Sequence, residues 1–74
     1  MTLTPNIVLN RLQQKMTVTN AKLLLDSAKT SSGVQVPNET ELSAEQAKTL
    51  VLRMINQGGP AFQVGQSLYK EYMM

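Results

Sequence analysis

The sequence predicts an all-α fold: four short helices arranged as two helical hairpins joined by a polar linker. Three observations predict it. Apolar residues recur at i, i+3 and i+4 in four separate windows. Gly and Pro punctuate the chain between those windows, at Pro5, Gly33, Pro37 and Gly58-Gly59-Pro60, with Gly65 the exception. The one alternating run, Val34-Gln35-Val36, is cut by Pro37 and finds no second strand to pair with. The 74 residues read as a single small domain, with helical pairs at about 4–30 and 43–73 and a linker at about 31–42.

Thr4 followed by Pro5 starts the first helix, as N-cap and first helical residue. Val8, Leu9, Leu12 and Met16 share an arc of about 100° at helical spacing, and Ile7, Arg11 and Lys15 lie to one side of it. Thr17-Val18-Thr19 then interrupts, because β-branched residues are poor in a helix interior, and Thr19 can cap the next helix over about 19–30. Its apolar side holds Val18, Ala21, Leu24, Leu25 and Ala28, whereas Leu23 points away. Gly33 supplies the C-terminal stop.

The linker reads as an extended polar loop, long enough that the two halves need not be neighbours. Ser43-Ala44-Glu45-Gln46 is a capping box that opens the third helix. Ala47, Leu50, Val51, Met54 and Ile55 follow on one stripe. Gly58-Gly59 ends that helix and Pro60 begins the fourth, about 60–73. Ala61, Val64, Leu68 and Tyr72 centre its wide apolar face, with Phe62, Tyr69 and Met73 toward the edge. Gly65 inside that face costs about 1 kcal/mol of helix propensity relative to Ala, which predicts that another helix passes close there.

Composition narrows the chemistry. The chain has no His and no Cys, so a Ser-His-Asp triad, a thiol nucleophile, a disulfide framework and the usual zinc ligand sets are excluded. The carboxylates Asp26, Glu39, Glu41, Glu45 and Glu71 include no pair placed to have its pKa values driven apart, and Gly58-Gly59 lacks the lysine of a phosphate loop. At this length nearly every central side chain is needed for packing, so we expect no enzyme activity, no cofactor, no metal and no small-molecule substrate. The first residues carry neither a basic start nor an apolar core of a signal peptide, and no apolar run is long enough for a membrane span. A cytoplasmic home is expected.

Two partner classes remain. The first is protein: Ile7, Leu23 and Leu52 miss their helices' stripes, and Phe62, Tyr69 and Met73 widen the fourth face, so the chain is expected to dock another protein or a second copy of itself, as a small adaptor, regulator or chaperone-like subunit. The second is DNA. Residues 1–37 sum to +3 and residues 38–74 to −1, and the stretch from Leu12 to Leu25 resembles a helix-turn-helix, with Thr19, Asn20 and Lys22 at the start of the second helix. That resemblance implies a small regulator contacting DNA through those residues with Arg11, Lys15 and Lys29 in support, but Met16 stands where the turn usually has Gly and Lys22 where the motif is apolar. The run Val18-Thr19-x-Ala21-Lys22-x-Leu24-Leu25 also resembles part of ubiquitin-associated-type three-helix modules, over about a fifth of the chain and without their Gly-containing loop. Seven Gln and five Asn, as many as the twelve charges, tilt the reading toward a surface that touches protein rather than phosphate.

Overall fold

A computed structural model describes residues 3–73. Among them are four α-helices and no strand: α1 (Pro5–Gln13), α2 (Val18–Ser32), α3 (Ala44–Gln57) and α4 (Gly59–Tyr72). The all-α expectation holds. Each helix packs on its neighbours in sequence, and α4 returns to α1, closing a four-helix ring around one core. Leu12, Leu25, Leu50, Met54 and Leu68 are its largest fully buried side chains, at least one from each helix. The two hairpins are therefore neighbours, although linker length alone left them free to separate.

Local chemistry explains most boundaries. Thr4 caps α1, its hydroxyl oxygen accepting from the Ile7 amide at 3.3 Å, with Pro5 as the first helical residue. The helix ends earlier than the apolar stripe: the Gln14 and Lys15 amides turn back to the carbonyls of Arg11 and Leu12, a tightened last turn. Met16 thus leaves the helix but still packs against the core.

The second helix corrects the expected start. Thr17, not Thr19, is the N-cap; its hydroxyl accepts from the Asn20 amide at 3.2 Å. Val18 becomes the first helical residue, where no preceding turn crowds a β-branched side chain. It stands 51% exposed rather than in the apolar stripe, and Ala21, Leu25 and Ala28 form the buried face. Gly33 closes α2 in the left-handed conformation.

The connection from α2 to α3 is less a spacer than a strap. Val34 and Leu42 are buried and Val36 packs against the core. The Asn6 amide, an orphan donor at the start of α1, donates to the Asn38 carbonyl at 3.1 Å, and the Leu42 amide donates to the Leu3 carbonyl at 2.8 Å. Lys29 Nζ donates to Asn38 Oδ1 at 3.0 Å, tying α2 to the same strap.

The hairpin of α3 and α4 is the tightest part of the fold. Ser43 and Gln46 complete the capping box in both directions, each amide donating to the other's side chain at 3.1 Å. Gly58 and Gly59 both hold positive φ, 77° and 59°, so the chain reverses within two residues, a path costly for any side chain with a Cβ. The fourth helix begins at Gly59, one residue earlier than expected, with Pro60 inside its first turn. At Gly65 the expected close approach is present: a Cβ there would lie 2.8 Å from Ile55 Cγ1, 3.2 Å from Ile55 N and 3.3 Å from Val51 O.

Candidate functional site

Helical register sets where the larger side chains of this hairpin go. Taking Ala47 and Ala61 as the inward directions of α3 and α4, helical spacing puts Ile55 and Leu52 at about 80° and 140° on α3, and Tyr69, Phe62 and Gln66 at about 80°, 100° and 140° on α4. The two helices run antiparallel, so these flanks rotate toward each other. The bare Gly65 leaves its space to the Ile55 side chain, whose Cγ1 would lie 2.8 Å from a Cβ there. Leu52 and Gln66 face outward by register, and with Ile55 and Tyr69 they wall a shallow groove.

That groove has a volume of ≈ 200 Å³ and is lined by Leu52, Ile55, Gln66, Tyr69 and Lys70. Leu52 is 40% exposed, and Phe62, one turn before Gln66 on the same stripe, is 39% exposed. Ile55 and Tyr69 are half-buried, packing inward on the core while showing an edge to the groove. The one cation in its lining is Lys70, and no carboxylate lines it. Chemically this is an apolar slot with an amide and an ammonium at its rim, suited to receive an apolar side chain and an adjacent acceptor.

Of the residues singled out for protein binding, Leu52 and Tyr69 come together here, and the exposed Phe62 lies outside the groove's lining. Met73 is half-buried and lines a different, larger cleft with Leu3, Leu42 and Tyr72 at the end of the bundle. Ile7 is half-buried against the core rather than exposed. Leu23 is 63% exposed on α2, about 200° from the inward-facing Ala21, and shares no groove with Val18, the helix's other exposed large apolar side chain. Ile55, Gln66 and Lys70 were missed as groove residues. The signal for the last two was present in the i+4 steps from Phe62 to Gln66 to Lys70.

The residues of the DNA reading are divided. Thr19, Asn20 and Lys22 are exposed on the first turns of α2, and Lys15 is exposed in the turn before it. Lys29, by contrast, is held by Asn38. Arg11 is ion-paired with Glu71 across the contact of α1 with α4. The side-chain hydrogen bond between them raises the Arg11 pKa and holds the Glu71 carboxyl below the usual carboxylate range. Much of the Arg11 charge is thereby answered within the molecule.

No group of three or more His, Cys, Asp or Glu side chains among the described residues is placed to hold a metal ion. No described helix is long and apolar enough to cross a membrane. No protein-family model matches the chain, and neither does any curated protein or any solved structure.

Proposed function

We propose that the chain is a non-enzymatic protein–protein interaction module, a small adaptor, regulator or chaperone-like subunit, whose docking surface is the outer groove between α3 and α4. The observation that carries this reading is the meeting of Leu52, Ile55 and Tyr69 on one groove, with the exposed Phe62 one turn before Gln66 on α4. Apolar side chains concentrated on one surface patch and rimmed by polar groups mark interaction sites, whereas scattered ones do not. With no Cys to protect or oxidise, the chain suits a reducing compartment, and cytoplasmic action belongs to the same proposal.

The test is a photo-crosslinking residue placed at Gln66 in the otherwise intact chain. Discrete adducts with a protein, lost when Leu52→Lys is added, support the reading. A variant Leu52→Lys that unfolds the chain, or adducts indifferent to it, overturns the reading. The DNA alternative is supported by the exposed polar start of α2 at Thr19, Asn20 and Lys22. It predicts duplex binding that weakens steeply with salt as counterions are released, and absence of binding at low salt removes it.

A further inference from the structure

We draw no further inference here: the strongest candidate, the cleft of ≈ 450 Å³ at the end of the bundle lined by Leu3, Leu42, Ala47, Lys48, Tyr72 and Met73, carries nothing, because nothing in the structure shows what covers it.

Discussion

The two hairpins solve the same problem in different ways. In the pair α1 and α2, the small residues at the buried face of α2 are alanines, Ala21 and Ala28, and a four-residue turn separates the helices. In the pair α3 and α4, a glycine lets the backbones meet and two glycines reverse the chain. The first pair keeps an outer surface that is mostly polar, with Val18 and Leu23 as its exposed large apolar side chains. The second places Leu52, Ile55 and Tyr69 along one shallow groove, with Phe62 exposed nearby on α4. The glycine that lets its helices meet gives its space to Ile55, which also shows an edge to that groove. An exposed leucine takes its meaning from what stands beside it.

The largest expected effect breaks the close approach. Gly65→Ala should cost about 1–3 kcal/mol through overpacking against Ile55 and the Val51 carbonyl, outweighing the roughly 1 kcal/mol that alanine adds in helix propensity. Chemical denaturation would show a lower midpoint. A rise in stability would mean that Ile55 and the facing backbone yield to a Cβ at this point.

Next come the caps. Thr17→Ala in the first pair and Ser43→Ala in the second should each lose about 1 kcal/mol, because each hydroxyl satisfies an amide of its helix's first turn. Thr19→Ala should stay within about 0.5 kcal/mol of wild type, as an exposed helical position without a capping role. If Thr19→Ala proves the more costly threonine change in thermal unfolding, the start assigned to α2 is wrong.

The two exposed leucines sharpen the comparison at the surface. Leu23→Lys should leave stability within about 0.5 kcal/mol, and Leu52→Lys should lose no more than about 1 kcal/mol for the part of its side chain that is buried. Unfolding of either variant at room temperature would show that its leucine serves the core.

The smallest effect belongs to the pair that joins the two hairpins. The folded-state pKa of Glu71 is lowered by its hydrogen bond to Arg11. Its contribution to stability is therefore present above the unfolded carboxylate pKa and is lost as pH falls through the lower folded value. Glu71→Gln should flatten that part of the acid limb and leave stability at pH 7 little changed, since both side chains face solvent and salt screens them. An acid limb identical in the two proteins would show that the pair is not formed in solution.

Much of the fold was legible because its signals are local. Thr4-Pro5, Ser43 with Gln46, Gly33 and Gly58-Gly59 each state a boundary within a few residues, and the structure places boundaries there. Gly65 announced a close neighbour because a glycine inside an apolar face has no propensity reason to be there. Thr17 was misread for the opposite reason: two threonines two residues apart are equal as caps in isolation. The hydrogen bond from the Asn20 amide to the Thr17 hydroxyl is what distinguishes them. The linker was read as a polar loop because Val34, Val36 and Leu42 are spaced among polar residues with no period to mark them as buried.

The candidate site was legible only in part. Leu52, Phe62 and Tyr69 could be named as apolar excess from their angles on their own helices. That Leu52 and Tyr69 share one groove, while Phe62 stays outside its lining, Ile7 turns to the core and Met73 lines another cleft, could not.

By itself the sequence determined four helices, their caps and turns, a core built without disulfides, and the exclusion of chemistry that needs His or Cys. Those follow from side-chain identity and a period of 3.6 residues, which are properties of short stretches. Only the tertiary structure decided that the linker straps onto α1, that Arg11 meets Glu71, and that the same-side flanks of α3 and α4 turn toward each other. These depend on the relative rotation and direction of helices far apart in sequence. That geometry is set by packing the whole core at once, and no local pattern encodes it.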